Sequence, residues 1–64
     1  MKDADAWLAG FATALAEMHR QLTNAGEDST LCRVARDAGL TLAEARRVGL
    51  TSFDVDALAK AGLQ

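Results

Sequence analysis

The chain has 64 residues, half of them apolar and a quarter charged, a composition that excludes disorder and allows one domain. A domain of this size buries only about 60% of its unfolded surface, so a monomer is marginally stable, and a pocket of about 300 Å3 for a small-molecule substrate would need a partner chain. The net charge of −2 removes the electrostatic ground for non-specific nucleic-acid binding, although Arg33, Arg36, Arg46 and Arg47 make the middle of the chain locally basic.

There is no proline, alanine and leucine are abundant, and the fold class expected is all-α: one long helix against three short ones. Helix 1 is predicted over residues 4–23, where Leu8, Phe11, Leu15, Met18 and Leu22 alternate by three and four into one apolar stripe. Trp7 widens that stripe. Residues 4–16 are nearly all apolar but too few to span a bilayer, so no membrane role is expected. Ala6, Gly10 and Ala14 form a second face of small residues, and a helix apolar on more than one face needs more cover than three short helices supply. Self-association into a homodimer through Ala6, Trp7, Gly10, Phe11 and Ala14 is therefore expected.

Residues 24–28 read as a loop with Gly26 as a helix stop. Helix 2 follows over 29–38, with Leu31, Val34, Ala35 and Ala38 inward. Helix 3 is predicted over 42–48 and helix 4 over 52–61, the latter burying Phe53, Ala57, Leu58 and Ala61. Gly39-Leu40-Thr41 and Gly49-Leu50-Thr51 are the same tripeptide ten residues apart, and Gly62-Leu63 is a partial third copy. Glycine takes the left-handed backbone that ends a helix, leucine folds back onto the last turn, and threonine caps the next helix. Glu44 and Asp54, three residues after each threonine, complete two capping boxes.

Chemistry-bearing residues are sparse. Cys32 is the only cysteine, which excludes an intrachain disulfide, fits a cytoplasmic setting and reads as a small inert apolar group. His19 has no partner identifiable from spacing, and one histidine with one cysteine cannot hold zinc, so no metal or cofactor is expected. Asp54, on the inward arc of helix 4, reads as a capping acid or as half of a buried pair with an arginine of helix 2 or 3. There is no phosphate loop, catalytic carboxylate pair or nucleophile–base spacing, and no catalytic residue is nominated.

Residues 34–48 resemble a helix-turn-helix unit of the lac-repressor family. Ala35 lies in the first helix, Gly39 in the turn, Leu40 and Thr41 after it, and Val48 late in the second helix. The resemblance implies that Thr41, Leu42, Ala43, Arg46 and Arg47 face DNA in a major groove. The chain departs from that pattern in three ways. Ala45 replaces a larger branched residue, Glu44 adds a negative charge, and the turn recurs at 49–51.

Over its whole length the chain is similar to small uncharacterised helical proteins of bacteria and their prophages. The matching residues are Trp7, Gly10-Phe11, Ala14-Leu15-Ala16, His19-Arg20, Ala38-Gly39-Leu40-Thr41, Gly49 and Phe53-Asp54-Val55. That resemblance brings no assigned activity; it supplies a context, in which small, acidic, non-enzymatic proteins of phage type often act by binding a host protein, as anti-CRISPR inhibitors do. The expected contact surfaces are acidic (Glu27, Asp28, Asp56) and basic (Arg33, Arg36, Arg46, Arg47). A small transcriptional regulator with DNA as its partner is the alternative, and the exposure of Leu42 separates the two.

Overall fold

A computed structural model describes residues 3–21 and 25–64, without the side chains of 25–27. Four helices follow one another: α1 (Asp3–Gln21), α2 (Ala25–Asp37), α3 (Leu42–Arg47) and α4 (Ser52–Ala61). Among the described residues there is no strand, and the fold is all-α. α1 touches each of the other three helices and packs most extensively on α4. α2 and α3, by contrast, do not pack on one another.

The three glycine corners share one hydrogen-bond pattern. Gly39, Gly49 and Gly62 have φ of +81°, +96° and +113°, the left-handed region that only glycine enters without strain. At the first corner Gly39 N–H donates to the Arg36 carbonyl at 2.9 Å and Leu40 N–H to the Ala35 carbonyl at 2.9 Å. Gly49 and Leu50 repeat this onto Arg46 and Ala45, and Gly62 and Leu63 onto Ala59 and Leu58. Each pair satisfies carbonyls that a helix end leaves open and lays the leucine against the last turn. Leu40 and Leu63 are buried, and Leu50 is half-buried.

The next helices are capped as their threonines suggest. Thr41 Oγ1 accepts from Glu44 N–H at 3.1 Å, and Thr51 Oγ1 from Asp54 N–H at 3.2 Å. The acids of the two boxes turn elsewhere, toward arginines. Leu42 N–H donates to the Gln64 carbonyl, tying the end of the chain to the start of α3.

The core is built from small residues as much as large ones. Ala12, Ala16, Ala35 and Ala45 are fully buried beside Leu40 and Leu58, with Leu15, Leu31, Cys32, Val55, Ala57 and Leu63 around them. Alanine at a crossing lets helix backbones approach closely, so the larger side chains of α1 are displaced sideways. Met18 and Trp7 are exposed, and Leu8 and Phe11 are half-buried. The stripe on α1 is thus rotated from the expected one. Val34, Ala38 and Phe53 were expected in the core and are exposed instead, while Val55 takes the inward place on α4.

α2 begins four residues earlier than the pattern suggested. Gly26 lies in its first turn rather than stopping a helix, and Glu27 and Asp28 follow there, where the positive end of the helix favours acids. The Asn24 end of the expected loop, and Leu22 of the stripe, lie outside the described residues.

Candidate protein-binding groove

The apolar side chains pushed off the α1 core face collect against α2. Phe11, Ala14, Leu15 and Met18 of α1 and Thr30, Leu31 and Val34 of α2 line an open cleft of about 580 Å3. None of these side chains is charged. Trp7 stacks on Phe11 at the cleft's edge, with ring centroids 5.1 Å apart and planes 11° apart, so the pair forms one stiff apolar knob. Trp7 is 62% exposed, Met18 48% and Val34 44%. Exposed apolar side chains gathered around one cleft differ from singly scattered ones, which need no explanation.

His19 Nδ1 lies 2.9 Å from Asp28 Oδ1, a part-buried contact that ties α1 to α2. Helical spacing within α1 could not supply that partner. The nine-residue separation spans the connection between the two helices, so only the way they pack brings Asp28 to His19.

Two arginines clip the opposite side of α1 shut. Arg20 donates to Glu17 Oε2 at 2.6 and 3.1 Å and to Asp54 Oδ1 at 2.9 Å, with its guanidinium carbon 4.7 Å from the centre of the Phe53 ring. Arg47 repeats the arrangement, holding Glu44 Oε2 at 2.6 and 2.9 Å and Asp5 Oδ1 at 3.0 Å. Asp54 therefore does form a charge pair, with an arginine of α1 rather than of α2 or α3.

These contacts shift the titration of the groups involved. Hydrogen bonds from Gln21 and then Arg20 hold the Glu17 carboxyl below its ordinary value, and Arg47 does the same for Glu44. Both arginines are pushed further toward their charged form, Arg20 first by Glu17 and Arg47 first by Glu44.

The nominated residues sort themselves as follows. Ala6, Trp7, Gly10 and Ala14 lie exposed on α1, with Phe11 half-buried among them, so the expected self-association set does share one region beside the cleft. Thr41, Ala43 and Arg46 are exposed on α3, but Leu42 is half-buried against the core and Arg47 is turned onto Asp5. Arg33, Arg36 and Arg46 make no ion pair among the described residues.

The acidic set does not stand as one free surface. Asp28 is held by His19, Asp56 pairs with Lys60 at 3.0 Å, and the Glu27 side chain lies outside the described part. Met18, Leu31, Thr30 and Val34 were not singled out as contact residues. The available signal was Trp7, Phe11, Ala14 and Met18 at i, i+4, i+7 and i+11, a stripe that reads equally well as core.

Among the described residues, no group of three histidine, cysteine or acidic side chains is placed to hold a metal ion. No described helix is long and apolar enough to cross a membrane. In comparisons with known proteins, no family model, curated protein or solved structure matches the chain.

Proposed function

We propose that this chain is a non-enzymatic protein-binding module that acts in the cytoplasm as an inhibitor or adaptor of the phage type, in the manner of an anti-CRISPR protein. The observation that carries the binding role is the uncharged α1–α2 cleft with Trp7, Met18 and Val34 left exposed around it. Leaving that much clustered apolar surface in water is unfavourable for a domain with so small a core, and a protein partner relieves it. The phage-type assignment rests on the sequence resemblance alone.

The test is capture on the immobilised chain from a bacterial lysate, compared with Ala14→Glu and Val34→Glu. Both positions are exposed in the cleft wall, so both variants keep the wild-type helical circular dichroism. A protein retained by the wild type and lost from both variants is the expected result. Retention unchanged by either substitution would sink the groove as the binding surface.

A second reading has its own support: a helix-turn-helix regulator. Gly39 has the positive φ that such a turn needs, Ala35, Leu40 and Val48 are buried, and Arg33, Arg36 and Arg46 are uncommitted among the described residues. It ranks second on geometry. α3 has six residues, about 9 Å of helix, and does not pack on α2. Leu42 is half-buried, and Arg47 is bound to two carboxylates of its own chain.

Fluorescence anisotropy with random duplex DNA, over a salt series, decides between the readings. The expected result is no binding at low salt by a folded protein. Micromolar affinity that falls steeply with salt and weakens in Arg46→Ala/Arg47→Ala would put the regulator first.

A further inference from the structure

We infer that the occupant of the α1–α2 cleft is a second copy of this chain, with α1 of each protomer seated in the cleft of the other. The inference rests on the reading of the cleft as a protein-binding surface and names its partner.

A trough between two helices takes a third helix that presents apolar anchors at i, i+4, i+7 and i+11. α1 itself carries that set, with Trp7, Ala14 and Met18 exposed and Phe11 half-buried between them. Trough and key are therefore parts of one surface. That is the condition for an isologous two-fold contact, in which residue i meets j while j meets i. A two-fold pair fills both troughs at once and leaves no open end from which the assembly could grow. The product is a layer of four helices, α1 and α2 from each copy.

Charge agrees with this occupant. Every described side chain lining the cleft is uncharged, and so is every anchor on the α1 stripe. Among the described residues the docked helix buries no lone charge, which in an apolar trough would be the dominant cost.

The area is adequate for a weak dimer. α1 with 19 residues and α2 with 13 offer helices about 28 and 20 Å long and about 10 Å wide, or roughly 500 Å2 in flat projection. The accessible area of such a corrugated face is larger, and a stable interface takes about 800 Å2 from each partner. Out of a protomer surface of 4072 Å2, that footprint is roughly a fifth.

The test is sedimentation of the whole chain from about 1 μM to about 1 mM, a range that brackets a weak dimer. The signals are mass, starting from 6.8 kDa, and the emission of Trp7, the only tryptophan. The mass should double with concentration while the tryptophan emission moves to the blue. Ala14→Glu and Val34→Glu should each move the midpoint up by about 100-fold or more with helicity unchanged. Arg46→Ala, away from the cleft, should leave the midpoint in place.

A folded wild type that stays at 6.8 kDa throughout overturns the inference, as does a dimer that survives both cleft variants. The first of these results, together with a foreign protein captured by wild type and lost from the variants, would leave the proposed function standing while removing the second copy.

Discussion

α1 has two apolar sides, and the molecule treats them oppositely. On the closed side it offers the fully buried Ala12 and Ala16; nothing large protrudes, and arginine pairs at Asp54 and Asp5 join α1 to α4 and α3. Along the edge of α2 it offers Trp7, Phe11, Ala14 and Met18; most of these side chains are larger, the helices leave a cleft, and no described side chain lining it is charged. Hydrophobic content does not explain which side is closed. Size does: small residues bring helices together, and bulky ones hold them apart and await another surface.

Breaking the closed side should have the largest effect. Leu58 of α4 is fully buried in the core, and Leu58→Ala should cost about 2–5 kcal/mol. A chain this small holds only about 3–5 kcal/mol in total. Thermal melting followed by circular dichroism should therefore show loss of the cooperative transition at ambient temperature. Val34→Ala, on the open side, should stay within about 0.5 kcal/mol of the parent in the same assay.

The next effect is a gain. Gly10 lies mid-helix with nothing within 4 Å of an added methyl group, so Gly10→Ala should stabilise the protomer by about 0.5–1 kcal/mol. The melting midpoint should rise by about 2–8 °C, and a fall would mean that the space beside Gly10 is occupied.

The smallest effect belongs to the clips. Arg20→Ala should lower the midpoint slightly in low salt, with the difference vanishing as salt is raised. The Glu17 and Glu44 carboxyls are held below their ordinary values, so each clip stabilises the folded state at neutral pH. That contribution is lost as pH falls through the lowered values, and an acid titration of the parent against Arg20→Ala should show the two curves converging.

The corners were legible in the sequence because a single backbone requirement fixes the residue. Gly39, Gly49 and Gly62 all adopt positive φ, and each leucine that follows bonds back five residues to the helix it ends. Fold class and the bounds of α4 followed from the same signals. The split of α1 into a closed and an open side was not legible, since a leucine–phenylalanine–methionine stripe outweighs alanine on any measure of hydrophobicity. Alanine wins the core only once another helix is known to cross there. The same limit hid His19–Asp28, Arg20–Asp54 and Arg47–Asp5, contacts that depend on how helices are set against one another. Trp7, Phe11 and Ala14 could be read as surplus to one core face because that excess shows in the spacing itself.

Cys32 Sγ donates to the Ala61 carbonyl at 3.3 Å, across the seam between α2 and α4, and burial pushes its thiol up from its ordinary value. Cys32 is 7% exposed, so a thiol-reactive reagent in solution reaches that sulfur fully only when the seam parts. The rate at which the folded protein takes up the label is then a clock for spontaneous opening, kept by one atom already in the chain. Comparing that rate in dilute and concentrated protein would report whether association at one face of α2 slows the parting of its other face from α4.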